Sequence, residues 1–224
     1  MHDVILLAHG SPDPRALQAA HELASAVEAE HAAARVHCAF LDHGPPLTEV
    51  VEQLALAGTR RAIVVPAFLS NAFHVRVDVP REATAAAERT GVELVVTMPI
   101  GMDGALIQEL DEMLPDGPVT LAIAGTRDPD ATAHLERVAD RWSRRRAAPV
   151  VLAHASIGAP TVPEALAALE GNGRTQASVV SFVLFPGVLP DRIAAEAGER
   201  FVTEPLYRTP ATVSIVVDRI RSAA

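Results

Sequence analysis

A short block near the start of the chain occurs a second time, 115 residues further on. Gly10-Ser11-Pro12-Asp13-Pro14 is answered by Gly125-Thr126-Arg127-Asp128-Pro129, Pro45 and Glu49 by Pro160 and Glu164, and Val64, Val65 and Leu69 by Val179, Val180 and Leu184. Three separate blocks that keep one register predict a chain of two similar halves. The join falls near Leu114–Pro118, where Pro115-Asp116-Gly117-Pro118 marks a turn. The expected domains are therefore residues 1–116 and 117–224, each of about 110 residues and large enough for a small domain with its own core.

Within each half, apolar β-branched runs alternate with Ala-rich amphipathic stretches. Strands are expected at Val4–Ala8, Val36–Leu41, Ala62–Ala67, Leu94–Met98, Val119–Ala124, Val150–His154 and Val179–Leu184. Helices are expected at Pro14–Ala32, Leu47–Ala57, Val79–Arg89, Gly104–Leu114, Pro129–Arg145, Val162–Leu169, Asp191–Ala197 and Pro210–Ser222. Continuous apolar strands separated by helices imply parallel sheets covered on both faces. The expected fold is α/β, with two tandem doubly wound, flavodoxin-like parallel-sheet domains and a cleft between them. Asp13 and Asp128, each followed by proline, are expected as helix N-caps, and Asp78 likewise.

Composition removes several classes of function. The net charge is −9 and all nineteen basic residues are Arg, with Arg144, Arg145 and Arg146 the only run, read as a solvated helix end. No basic stripe of the kind nucleic acid demands is present. No apolar stretch approaches the roughly 20 residues of a membrane helix. The start of the chain has no basic region before its apolar run, and reads as a strand rather than an export signal. The single cysteine, Cys38, rules out an intrachain disulfide framework and any cysteine-ligated cluster. The expectation is a cytoplasmic protein, without nucleic-acid or membrane partners.

Nine histidines can be sorted by position. His2, His21, His31 and His134 fall at a terminus or within helices and read as surface residues. His37 and His154 sit in or beside strands and read as hydrogen-bonded structural residues. His9 ends the first strand, and His74 follows the third. In the strand order 2-1-3-4 the first and third strands are neighbours, and ligands bind at the carboxyl edge where the order reverses. Topology thus suggests a His pair there, with Asp42 and His43 entering the same rim after the second strand. Two imidazoles and a carboxylate suit Fe²⁺, Co²⁺, Ni²⁺ or Zn²⁺. At the repeat offset the partners of His9 and His74 are Ala124 and Leu189, so a function carried once per chain explains the pair better than a need of the fold.

His9-Gly10-Ser11-Pro12-Asp13-Pro14-Arg15 resembles the opening motif of the class II sirohydrochlorin chelatases, which include cobalt and iron enzymes. Phe40-Leu41-Asp42 is similar to the family's second-strand segment, with Asp in place of the usual Glu. Val64–Ser70 and His74-Val75-Arg76-Val77-Asp78-Val79-Pro80 resemble its third-strand block. The second half, with Leu184-Phe185-Pro186-Gly187 and Pro190-Asp191-Arg192, resembles the degenerate repeat of the long two-domain members.

The resemblance implies a lyase that inserts a divalent metal into sirohydrochlorin, with Fe²⁺ expected first and Co²⁺ or Ni²⁺ as alternatives. It implies that His9 and His74 hold the metal and accept pyrrole protons, with Asp42 assisting as the third catalytic residue. Ser11, Arg15, Arg76, Phe73, Arg127 and Arg192 are then candidates for holding the carboxylated macrocycle. The metal is a substrate, no permanent cofactor is expected, and two fused halves suit a monomer. A non-catalytic tetrapyrrole or metal carrier is the alternative from another class, and a periplasmic-type binding protein a third.

Overall fold

The alternating pattern is realised in full in a computed structural model, which describes residues 2–70, 74–102, 104–171 and 176–224. In the first unit the strands are β1 (His2–Ala8), β2 (Ala34–Phe40), β3 (Arg61–Pro66) and β4 (Glu93–Val96), joined by α1 (Pro14–Glu30), α2 (Leu47–Leu56) and α3 (Val79–Thr90). The sheet is parallel, in the order β2-β1-β3-β4. Ile5 and Leu7 of β1, Ala39 of β2 and Ala62 and Val64 of β3 form one core with Leu47, Val51 and Leu54 of α2 and Val79, Ala83 and Ala86 of α3. Because side chains alternate across a strand, Val4, Leu6 and Ala8 face the other side, and they too are buried. The buried stripe of α1 is mostly alanine (Ala16, Ala19, Ala20 and Ala24, with Leu23 and Val27), which lets the helix lie close.

The second unit repeats the plan with β5 (Val119–Gly125), β6 (Val150–Ile157) and β7 (Ser178–Phe182), parallel and in the order β6-β5-β7. A fourth strand survives only as a single parallel bridge, Val179 to Val202. Helices α6 (Val162–Glu170) and α7 (Val188–Ala197) bury Val162, Leu166 and Ile193 against Ala122, Ala153 and Val179. The connection between α6 and β7 is closed by Glu170, whose carboxylate accepts from Ala177 N–H at 3.0 Å and from Arg200 at 2.6 and 2.8 Å. These bonds, led by Arg200, pull the Glu170 carboxyl down to about 2.

The compact units do not coincide with the halves expected from the repeat. One comprises Met1–Asp103 with Tyr207–Ala224, the other Gly104–Leu206. Helix α4 (Gly104–Met113) closes the first half of the sequence yet packs in the second unit, beside α5 (Pro129–Arg146). Trp142 Nε1 of α5 donates to Asp111 Oδ1 of α4 at 2.8 Å, and Arg146 Nη1 reaches the same oxygen at 2.7 Å. Helix α8 (Pro210–Ala223) closes the second half yet packs beside α1 in the first unit. There Arg61 donates to Ala223 O at 2.6 Å and Arg219 to Pro99 O at 3.2 Å. Each half therefore gives its last helix to the other unit.

The Arg146 contacts also correct the reading of Arg144–Arg146 as a solvated run. The Arg146 side chain is only 7% exposed, and it binds the carbonyls of Gly117 and Pro115 as well as Asp111.

Candidate active site

The register of β1 against β2 continues past the ends of both strands. Leu41 N–H donates to Ala8 O at 2.9 Å and Asp42 N–H to His9 O at 2.8 Å, which brings Asp42 alongside His9. Gly10 then turns the chain with φ of 91°, and a Cβ there would lie 1.6 Å from Asp42 O. Only glycine permits both the left-handed backbone and the close approach. His9 stands exposed at this edge.

The next residues start α1. Ser11 Oγ accepts from Asp13 N–H at 3.1 Å, which leaves its hydroxyl hydrogen to donate. Asp13 caps the helix as expected, accepting from Arg15 N–H at 2.9 Å, and its carboxylate holds the Arg15 guanidinium at 2.6 Å. The Arg15 side-chain bond is the main reason the Asp13 carboxyl lies below its ordinary value. Arg15 thus starts from an internal partner, in an exposed position where a stronger anion can compete for it.

On the neighbouring strand, Ala67 N–H donates to Leu7 O at 2.8 Å. The connection then leads to a π-helical turn, His74–Asp78, which runs directly into α3. In a parallel β3–α3–β4 crossover the N-terminus of the helix lies at the carboxyl edge of the sheet. His74 therefore follows β3 at the same edge at which His9 follows β1. Single π turns recur at functional sites, because they change the direction of side chains within a helix. Arg76 is exposed on this turn. Phe73 lies outside the described residues. Asp78 is not a cap: the π turn leaves it helical (φ −71°, ψ −44°) with no capping bond, and it pairs instead with Arg81 at 3.1 Å.

Asp42 turns towards its own neighbour. Its Oδ1 accepts from His43 N–H at 2.9 Å, and Oδ2 lies 3.3 Å from His43 Nε2. His43 has φ of 51°, one of two non-glycine residues with positive φ among those described.

The remaining candidates belong to the second unit. Arg127 is exposed in the turn between β5 and α5, where Thr126 Oγ1 accepts from Asp128 N–H at 3.0 Å, as Ser11 does from Asp13. Asp128 caps α5 through Asp130 and Ala131 N–H. Arg192, on α7, pairs with Glu196 at 2.7 Å. So the first unit carries Ser11, Arg15 and Arg76, and the second carries Arg127 and Arg192.

The second carboxyl edge lacks the counterparts of His9 and Asp42. Ala124 stands in the place of His9. A Cβ on Gly125 would lie 2.2 Å from Ile157 O, just as one on Gly10 meets Asp42 O, so exposed Ile157 takes the place of Asp42. At the repeat offset Leu189 stands where His74 does: the continuous helical run begins at His74 in the first unit, as the π turn that leads into α3, and at Val188 in the second, where it starts as an α-helix.

His37 and Cys38 lie in β2 and His154 in β6. His37 Nε2 lies 3.3 Å from Asp3, as a structural histidine should. His154 is buried, but no described partner reaches its Nδ1, so it is not hydrogen-bonded through that atom as expected. Burial pushes the Cys38 thiol up to about 12, which removes it from nucleophilic or metal chemistry at neutral pH. Among the described residues no group of three or more His, Cys, Asp or Glu gathers into a metal cluster, and no helix is long and apolar enough to cross a membrane.

The CbiX family model matches residues 3–116 and, a second time, residues 118–223. The chain belongs to the CbiX family. The resemblance carried by His9–Arg15 and His74–Pro80 is thereby borne out, as is the fold class of two parallel-sheet α/β domains. A CbiX relative from Priestia megaterium, a sirohydrochlorin ferrochelatase, is 26% identical over 162 residues, which cover 68% of this chain and 61% of the relative. A sirohydrochlorin cobaltochelatase of the same organism is 26% identical over 208 residues, 86% of this chain and 67% of the relative. The chain thus spans about two thirds of the length of these relatives. Among solved CbiX-type structures, SirB from Bacillus subtilis with Fe³⁺ superposes with a TM-score of 0.83 at 24% identity, covering 100% of this chain and 96% of that one. CbiX, described as the terminal enzyme of siroheme biosynthesis in denitrifying bacteria, superposes with a TM-score of 0.72 at 18% identity, covering both chains in full.

Proposed function

We propose that this CbiX-family chain is a chelatase that inserts a divalent metal into sirohydrochlorin, with His9 and His74 handling the metal and the protons. The supporting observation is that one histidine follows β1 and the other follows β3, its neighbour in the sheet, at the edge where such sheets bind ligands. The names of the ferrochelatase and cobaltochelatase relatives supply the substrate class.

The chemistry asks for two things. The hydrated M²⁺ must exchange water for protein ligands, and two pyrrole N–H protons must leave as the metal–nitrogen bonds form. A neutral imidazole, with an unperturbed pKa of about 6.5, does either job near pH 7. Asp42, whose backbone N–H is bonded to His9 O, is the carboxylate assigned to assist. The macrocycle carries carboxylates around its rim, and Ser11, Arg15, Arg76, Phe73, Arg127 and Arg192 are the groups assigned to hold it. In this reading the metal is Fe²⁺, and the enzyme acts in the cytoplasm as a monomer without a permanent cofactor, membrane or nucleic acid. Cobalt and nickel are the competing metals, since imidazole and carboxylate accept each of them.

The test is insertion by purified protein, followed by absorbance of the tetrapyrrole with Fe²⁺, Co²⁺ and Ni²⁺ in competition. Stoichiometric binding without turnover for every metal would point to a carrier and overturn the reading.

A further inference from the structure

The loop after β2 contains a residue whose backbone conformation favours glycine and whose identity is histidine. His43 adopts φ of 51°. The equivalent loop of the second unit offers a comparison. Phe40 N–H donates to Pro45 O at 2.9 Å, and His154 N–H to Pro160 O at 2.8 Å, which aligns the two loops. Asp42 O lies over Gly10 as Ile157 O lies over Gly125. The residue that follows is His43 in one unit and Gly158, with φ of 124°, in the other. Both take a positive φ, and Gly158 meets a second constraint, since a Cβ there would lie 2.4 Å from His154 Nδ1. A side chain there carries a conformational cost, and such costs persist at functional positions.

The imidazole is also held. Asp42 accepts from the His43 N–H at 2.9 Å and faces Nε2 at 3.3 Å. A carboxylate beside one ring nitrogen orients the imidazole, as it does for metal-binding histidines generally. With Nε2 facing Asp42, Nδ1 is the nitrogen left for a metal. The pair stands at solvent, with side chains 49% and 61% exposed, one residue from the bond that ties Asp42 to His9.

The geometry points to His43 as a ligand that receives the divalent metal substrate from solution, oriented by Asp42, before the metal passes to His9. This rests on the reading of His9 and His74 as the metal-handling pair. It assigns the Asp42 carboxylate to the His43 imidazole and makes His43 a third imidazole of the site.

The experiment compares the full-length wild type with His43→Gly and His43→Asn. Two readouts are used: Co²⁺ binding alone, by its visible absorption, and steady-state insertion with metal and sirohydrochlorin varied separately. Both variants should raise the KM for metal and weaken Co²⁺ binding by about tenfold, with kcat and the KM for sirohydrochlorin within about twofold. His43→Gly should melt at or above the wild-type temperature, because it relieves the left-handed backbone. Unchanged Co²⁺ affinity and unchanged metal KM in both variants would overturn the proposal. So would a fall in kcat that tracks a lowered melting temperature, the mark of a structural role. A wild type that binds Co²⁺ but inserts no metal refutes the chelatase reading instead, and the Co²⁺ titrations still decide the role of His43.

Discussion

The backbone N–H of Asp42 donates to the carbonyl of His9 at 2.8 Å, just beyond the last paired residues of β1 and β2. This bond carries the sheet pairing into the loops, so the backbone of Asp42 is held against that of His9. The close approach it creates is the reason Gly10 must be glycine.

His9→Ala and His74→Ala should each lower metal insertion by about a hundredfold or more, the scale of one general acid–base group. His9 is exposed at the sheet edge and lies outside the core cluster beneath it. Circular dichroism and the melting temperature should therefore stay at wild-type values while absorbance of the metallated product is lost. Near-normal turnover in both variants rejects the assignment.

Gly10→Ala should destabilise the fold by about 3 kcal/mol, since the methyl group meets a backbone oxygen that cannot move without breaking the register. Gly58 is the control: its φ is 90° but nothing lies within 4 Å of a Cβ there. Gly58→Ala should cost about 1 kcal/mol, for strain alone. Urea midpoints of the two variants separate close approach from strain, and equal losses would contradict the geometry.

Trp142→Phe should lower stability by about 2 kcal/mol by deleting a hydrogen bond to Asp111 and leaving a void in a buried site. Two effects oppose each other at Asp111: burial raises its carboxyl pKa, while hydrogen bonds from Trp142 and Arg146 bring it below the ordinary value. The variant should show faster amide exchange across Gly104–Met113 than across α8. Uniform exchange along the chain would mean that α4 is held by other contacts.

Glu170 is expected to set part of the acid sensitivity of the second unit. Its folded-state pKa, about 2, lies below the ordinary value of 4.5. Its contribution is therefore complete above pH 4.5 and is lost as pH falls through about 2. Screening at this partly exposed pair limits the contribution to about 1 kcal/mol. Glu170→Gln should lower the melting temperature at pH 7 and flatten its decline below pH 4.5. An unchanged pH profile would show that the Arg200 pair is not what the carboxylate contributes.

Much of this protein is written in local pattern. Strand and helix ends agree with the expected ones mostly to within a few residues, because continuous apolar runs and Asp-Pro caps are local signals. The repeat named the halves, and the order in which His9 follows β1 and His74 follows β3, its neighbour in the sheet, was legible from strand order alone. Tertiary structure decided three further points. The exchange of α4 and α8 between units depends on which face a helix finds to cover, as with Trp142 and Arg146 meeting Asp111, and no sequence period encodes that choice. The π turn at His74, where the second half starts its helix as an ordinary α-helix, is a difference of backbone hydrogen bonding that the sequence offset does not reveal. The pairing of Asp42 with His43 depends on a positive φ that only the closing of the loop against Pro45 imposes. The sequence determined which residues reach the carboxyl edge. The way backbone and helices close around them decided which side chains meet there.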